Sequence, residues 1–424
     1  MKGLNILTLE LRNITPVIIG GYRATTFSPS LGIAERFRVS ELKGVWRWWF
    51  RALTAGALWD ARGHVEGNYV REKVRAVLGS TNSASKFILQ AHVRKEGKPK
   101  LLSCKGLLPP RLKLLCMRGR ERMEKEQENG IYYYDVGDLE YNLRLLKQPG
   151  MELREDELRV GVSSLLVAII FQGVGAITRR GFGAWALKVN RNNVGKEYAG
   201  KLEDYIQIID KLNEIKSSND AANVIDKLIH LASDDFSKFI GISGEGGMSE
   251  DVPPCPIVSR NRNIFRISIQ DVKASSPMDL LIKIGNATMK ATWRRHLRRP
   301  SNEIHTWILG LPRGQKRGMH GYAVNYNRRM SIFDLGRRPS AISIHPLKRL
   351  SDDGWICIVY GFLSKDWPKT LYHISLKRGK RFGGGRGKHK MGEIIEEKVI
   401  SISDNLVRDI FKTAFDMVIT CLRH

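Results

Sequence analysis

Residues 13–22, NITPVIIGGY, and residues 40–53, SELKGVWRWWFRAL, decide how the N-terminal part of this chain is read. Leu4 to Ile19 alternates apolar and polar residues through Ile6, Leu9 and Leu11, passes Thr15-Pro16 into a second apolar run and stops at Gly20-Gly21. That is the pattern of a strand ending in a glycine turn. After a loop over 22–39, Ser40 suits the N-cap of a helix and Glu41 its positive end. Leu42, Val45, Trp46, Trp49, Phe50 and Leu53 then recur at helical spacing, which predicts an amphipathic helix to about Leu58 with both tryptophans in the core. Its other side carries Lys43, Arg47 and Arg51, four residues apart, so three cations stack along one stripe.

Working outward, the apolar block Leu165 to Phe171 predicts a helix, residues 173–183 (GVGAITRRGFG) a glycine-rich basic loop, and Trp185 to Val189 a strand. Residues 60–150 are less legible. They hold a strand-like run from Phe87 to Val93, a charged tract over 118–128 and the tyrosines Tyr132 to Tyr134, and are read as an insertion in the first domain. Helical stretches at Glu197 to Lys216 and Ala221 to Ala232 lead into a flexible segment from Gly241 to Pro256. Beyond it come a strand (Ile264 to Ile269), a helix (Asp279 to Arg298), two strands (Ala341 to Leu347 and Trp355 to Leu363), a strand entering a basic glycine loop (372–392) and a last helix (Asp404 to Leu422). Strands outnumber what a helical bundle allows and are too interrupted for a doubly wound sheet, so an α+β design used twice is expected, with domains at 1–200 and 201–424.

The 424 residues include 70 Lys+Arg and 43 Asp+Glu, a formal charge of +27. Self-repulsion on this scale is tolerated where phosphates neutralise it, which makes a nucleic acid the expected partner. No apolar stretch approaches the roughly 20 residues needed to cross a bilayer, and Glu10 and Arg12 stand where a signal peptide would be apolar, so a cytoplasmic protein without membrane contact is expected. Cys104, Cys116, Cys255, Cys357 and Cys421 form no CxxC pair and have no histidine at ligand spacing, which argues against zinc and against a disulfide framework and leaves them as buried small hydrophobes. No metal and no cofactor is expected.

The cations concentrate. Between Asn286 and Leu350 there are 14 Lys+Arg against two acids, Glu303 and Asp334. Arg294, Arg295 and Arg298 crowd the end of the predicted helix, where the helix dipole also favours them, but the run continues through Arg313, Arg328, Arg329 and Arg338. Trp293 and Trp307 among them read as core residues. Residues 377–391 hold seven Lys+Arg, among them Lys380, Arg381 and Arg386, and no acid around Gly383-Gly384-Gly385, where a backbone free of side chains can approach phosphate closely. In the loop 173–183, Thr178, Arg179, Arg180 and Phe182 sit between glycines that allow tight turns.

With these motifs quoted, the chain resembles the RAMP superfamily: the strand-turn and helix look like the N-terminal signature of the first RAMP subunit of the Cmr complex, the type III-B CRISPR RNA-guided effector. GAITRRGFGAW, residues 175–185, is similar to the glycine-rich loop shared by RAMP proteins. The resemblance implies two ferredoxin-like, RRM-related domains and a ribonucleoprotein role in antiviral defence, holding guide and target RNA near the guide 3′ end beside other RAMP subunits. Gly20 and Gly21 would occupy the turn and Lys43, Arg47 and Arg51 the basic positions of the first helix. Arg23, Arg36 and Arg38, between these elements, join the expected RNA contacts, as do the arginine and lysine clusters above.

Some RAMP proteins cut RNA without metal, using an early histidine as general base, or an early aspartate. Here the first histidine is His64 and the first aspartate Asp60, so the first 59 residues lack both. Glu35 has Arg36 and Arg38 beside it, which would lower its pKa, and His296, His305, His320, His373 and His389 show no triad spacing. A non-catalytic RNA-binding subunit is therefore expected, with a metal-independent endoribonuclease processing CRISPR transcripts as the alternative.

Overall fold

The computed structural model describes residues 4–20, 26–29, 31–105, 108–110, 112–113, 130–242, 249, 251–298, 303–311, 313–314, 320–327, 332–334, 338–350, 353–376 and 394–423. The N-terminal half is built on an antiparallel sheet of β1 (Asn5–Asn13), β2 (Phe87–Glu96), β3 (Leu139–Lys147) and β4 (Trp185–Val189), in the order β2-β3-β1-β4. Helices α1 (Val39–Arg62) and α2 (Gly67–Leu78) join β1 to β2, and α3 (Glu155–Phe171) joins β3 to β4. This is the β-α-β-β-α-β succession of a ferredoxin-like fold. Its central strand β1 pairs Leu9 with Leu143 on one side and with Val189 on the other.

The predicted helix over 40–58 is α1, with Trp46 and Trp49 buried. It starts one residue earlier: Arg38 is the N-cap and no side chain caps it, so Ser40 lies inside the first turn. The uninterrupted run Leu165 to Phe171 is explained by position, since α3 packs against α1 and two further helices, α4 (Lys196–Glu214) and α5 (Ser218–Phe239), and is buried nearly all round. Sequence reading placed α4 and α5 in the second domain. They instead pack on the first: Leu202, Ile206, Ile225 and Leu228 join the same core as Trp46, Trp49 and Leu166.

The C-terminal half follows the same order as far as its last helix, β-α-β-β-α without a closing strand, with β5 (Phe265–Lys273), α6 (Pro277–Ala287), α7 (Lys290–Leu297), β6 (Ile342–Arg349), β7 (Gly354–Phe362) and α8 (Asp404–Arg423). The sheet order is β6-β7-β5, all antiparallel. Strand β7 is apolar at nearly every position because both faces are covered. Ile356, Ile358, Tyr360 and Phe362 enter the N-terminal core, while Trp355, Cys357 and Val359 enter a second core with α6 and α8. A separate sheet joins Arg313–Gly314, His320–Ala323, Thr370–Leu376 and Ile394–Ser401.

Two further expectations are corrected. The single helix expected over 279–298 is two, broken at Thr288-Met289, where the Thr288 hydroxyl donates to the Gly285 carbonyl and the Trp293 indole N–H closes on the Ala287 carbonyl at 2.7 Å. Cys104, expected as a buried thiol, is half-buried and disulfide-bonded, whereas Cys255, Cys357 and Cys421 are free.

Candidate nucleic-acid interface

The chain leaves α3 at Phe171 and enters the glycine loop, whose two ends nearly touch. A Cβ on Gly173 would stand 2.0 Å from the Gly183 carbonyl oxygen, and one on Gly183 would stand 2.1 Å from that of Val174; both backbones are left-handed, at φ +66° and +64°. Only glycine fits there. Between them Ile177 is held at φ 63°, a costly conformation for a β-branched residue that the surrounding hydrogen bonds impose. Ala176 N–H donates to the Ile18 carbonyl at 2.7 Å, Gly183 N–H to Pro16 and Thr15 Oγ1 to Gly181. Gly175 N–H donates to the Glu41 carboxylate at the start of α1, whose pKa is raised by burial against the opposing pull of that bond and of Arg38. TPVII, SEL and the glycine loop, far apart in sequence, therefore meet at one end of the first sheet.

The two arginines of the loop have opposite surroundings. Arg180, 5% exposed, donates to the carbonyls of Leu309 and Ile342 and to Ser340 Oγ at 2.8–3.1 Å, and its backbone forms a parallel bridge with Ile344 of β6. It latches the N-terminal half to the C-terminal one. Arg179 makes a single 3.3 Å bond to the Ser340 carbonyl and lies over the Trp48 ring, 5.9 Å from its centroid. Burial lowers its pKa, with only Tyr360 opposing. It lines a cavity of about 120 Å³ with Trp48, Arg338, Ser343, Tyr360 and Asp366. Arg338, 8% exposed, stacks 3.3 Å from the centroid of Trp367 and donates to Asp366, Ser364 Oγ and the Pro339 carbonyl. Burial, Asp366 opposing it and Arg179 adding to it, lowers the Arg338 pKa to about 10.

The other expected contacts divide. Arg180 and Phe182, the latter 1% exposed, are interior residues rather than surface contacts, and Thr178 is buried as well. Arg47 is half-buried and donates to the Leu78 and Gly79 carbonyls at the end of α2; it is a helix cap, which breaks the stripe on α1 between half-buried Lys43 and exposed Arg51. Trp48, over which Arg179 lies, is about 100° round the helix from Arg47. Arg36 is exposed and pairs with Glu96 at 3.1 Å, and Arg38 pairs with Glu35. Gly20 is exposed, as are Arg294, Arg295 and Arg298 at the end of α7, where Arg298 caps the helix at φ 51°. Gly21, Arg23, Arg328, Arg329, Lys380, Arg381 and Arg386 lie outside the described residues.

Sequence reading missed His345, and it named His373 without the neighbours the fold gives it. His345 is 2% exposed on β6 beneath the loop, and burial, opposed by a backbone contact with Thr178, lowers its pKa to about 3. It sits in an apolar strand pattern that gives no sign of it. His373 Nε2 lies 3.0 Å from Lys290 Nζ with the Tyr322 ring against it, three residues with no sequence proximity. Among the described residues no three His, Cys, Asp or Glu gather as metal ligands, and no helix is long and apolar enough to cross a membrane.

The RAMP superfamily model matches residues 10–186, the first sheet together with the glycine loop. Residues 10–186 are a RAMP domain. The chain as a whole is similar in fold to the crystal structure of Cmr1 from Pyrococcus furiosus in its apo form, at 18% identity and a TM-score of 0.51, over 97% of this chain and 95% of that one. It is similar at 15% identity to chains in two cryo-EM structures of the type III-B Cmr-beta. One is bound to cognate target RNA (TM-score 0.55), the other to cognate target RNA and AMPPnP in the presence of ssDNA (TM-score 0.54); each match covers 98% of this chain and 100% of that one. No curated protein matches the sequence. These likenesses in fold span both halves of the chain.

Proposed function

We propose that this RAMP protein is a non-catalytic RNA-binding subunit of a type III-B CRISPR effector, a cytoplasmic ribonucleoprotein in antiviral defence. It holds guide RNA and its target near the guide 3′ end, beside other RAMP subunits, and base pairing rather than this chain reads sequence. The observation that carries the reading is Arg179, a guanidinium in the glycine loop of a RAMP domain, held over Trp48 in the cavity between the two halves and, among the described residues, in no ion pair. The formal charge of +27, with Arg51, Arg294, Arg295 and Arg298 exposed, supplies the long-range attraction.

The non-catalytic part rests on the first 59 residues, which lack both histidine and aspartate, and on His373, which is 1% exposed and occupied by Lys290. Affinity of the purified protein for single-stranded RNA is expected to fall with salt with a log-log slope of several units; a flat response between low and physiological salt refutes the phosphate grip. Site-specific cleavage of repeat RNA in EDTA that persists through purification refutes the non-catalytic assignment.

A further inference from the structure

The cavity between the two halves carries an electrostatic imbalance. Arg179 and Arg338 both line it, and one carboxylate, Asp366, faces them. Asp366 is already bonded to Arg338 at 2.6 Å and to the Ser364 hydroxyl. Among the described residues no carboxylate lies within ion-pair distance of Arg179, whose guanidinium offers five N–H donors and uses one, in a 3.3 Å bond. Arg338 adds an Nε–H that is buried without a partner. A half-buried cation left in this state is costly to the fold unless an anion completes it. The space is there, since about 120 Å³ far exceeds the ~10–15 Å³ that one water requires. The rest of the lining includes the aromatic side chains of Trp48 and Tyr360 and the hydroxyl-bearing Ser343.

We infer that this cavity is a socket for a single phosphoryl group at the end of an RNA strand, gripped by Arg179 from the N-terminal half and Arg338 from the C-terminal half. The inference rests on the RNA-binding reading above and adds to it a preference for a chain end. A terminal phosphate is a compact anion of up to two charges that enters a recess from one side, whereas an internal phosphodiester carries one charge and needs an open groove with chain leaving in both directions. Because the two arginines belong to different halves, the bound phosphate also ties the halves together and must raise the melting temperature by linkage.

The test uses the full chain with inorganic phosphate as the first probe, then short RNAs identical except for a 3′-phosphate, a 5′-phosphate or hydroxyls at both ends. Phosphate is expected to raise the melting temperature in a saturable way that chloride at equal ionic strength does not reproduce. One phosphate-ended RNA is expected to bind about tenfold more tightly than the hydroxyl-ended one, the scale of one charge-assisted bidentate contact. Arg179→Gln should abolish both effects. Asp366→Asn, which removes the competing carboxylate and keeps a hydrogen-bonding group, should strengthen both, an outcome that misfolding cannot produce. Arg191→Gln, at an exposed pair with Asp210 away from the cavity, should change neither.

Equal binding of the three RNAs overturns the socket, and if that binding still falls steeply with salt the broader RNA-binding reading survives. A phosphate response unchanged in Arg179→Gln also overturns it. Loss of all RNA affinity in the unmodified protein refutes the broader reading as well.

Discussion

The glycine loop over 173–183 and the basic stripe on α1 carry the same chemistry in sequence, cations at regular spacing beside aromatics, and the fold uses them differently. In the loop, Arg180 and Phe182 are spent on joining the two halves, and Arg179 alone faces a cavity. On α1 the middle cation, Arg47, caps α2, and the outer two remain toward solvent. What separates the members of each set is the availability of backbone carbonyls. A guanidinium beside the end of a helix or an irregular strand edge is taken up by it, because buried carbonyls require donors. Charge counting therefore overstates a binding surface wherever arginines adjoin loop termini.

The sharpest way to break the comparison is to remove each loop arginine singly. Arg180→Met strips donors from the Leu309 and Ile342 carbonyls inside the joint and is expected to destabilise the protein by about 3 kcal/mol or more, since each buried acceptor left unsatisfied costs ~1–3 kcal/mol. Arg179→Gln, one residue away, should leave chemical denaturation within about 1 kcal/mol of the parent while weakening RNA binding. Equal destabilisation by the two variants would show the loop to be wholly structural.

A smaller effect sharpens the same joint through pH. His345 lies under the loop, and a Cβ on Gly173 would stand 3.0 Å from its ring. Burial holds the folded imidazole near pKa 3 against an ordinary 6.5. Above pH 6.5 the ring is neutral in both states and contributes no pH dependence. As pH falls below 6.5 the unfolded chain binds a proton that the folded chain does not, so stability declines by up to about 1.4 kcal/mol per pH unit until the folded value is reached. Denaturant midpoints between pH 7 and 5 should show this slope, and His345→Phe should flatten it. A slope unchanged in the variant assigns the acid sensitivity elsewhere.

How much of this was legible depends on whether the deciding interaction is local. The helix of Trp46 and Trp49, the strand Trp185–Val189 and the closing helix follow from side-chain periodicity, which neighbouring residues set. The assignment of α4 and α5 to the first half did not, because both are ordinary amphipathic helices and nothing in their pattern names the partner for the apolar face. The convergence of residues 15–19, Glu41 and the glycine loop was not legible either, because it rests on hydrogen bonds between segments more than a hundred residues apart. The pairing of Arg179 with Arg338 across 159 residues of sequence was not, since both sit in runs of arginine where each member looks alike.

The smallest expected effect concerns the stripe on α1 and asks whether its accessible cations touch phosphate. Each lysine or arginine that neutralises one phosphate releases counterion, so its removal lowers the salt slope of single-stranded RNA binding by somewhat less than one unit. Lys43→Gln and Arg51→Gln should each do so, with little effect on folding, because neither side chain is buried. Arg47→Gln should leave the slope unchanged and cost stability instead, about 1–3 kcal/mol for the lost bonds to Leu78 and Gly79. Global fits of RNA affinity at four or five salt concentrations resolve such a change. If all three variants lower the slope alike, Arg47 exchanges its α2 carbonyls for RNA when the strand arrives, and the cap on α2 is a resting position rather than a fixed one.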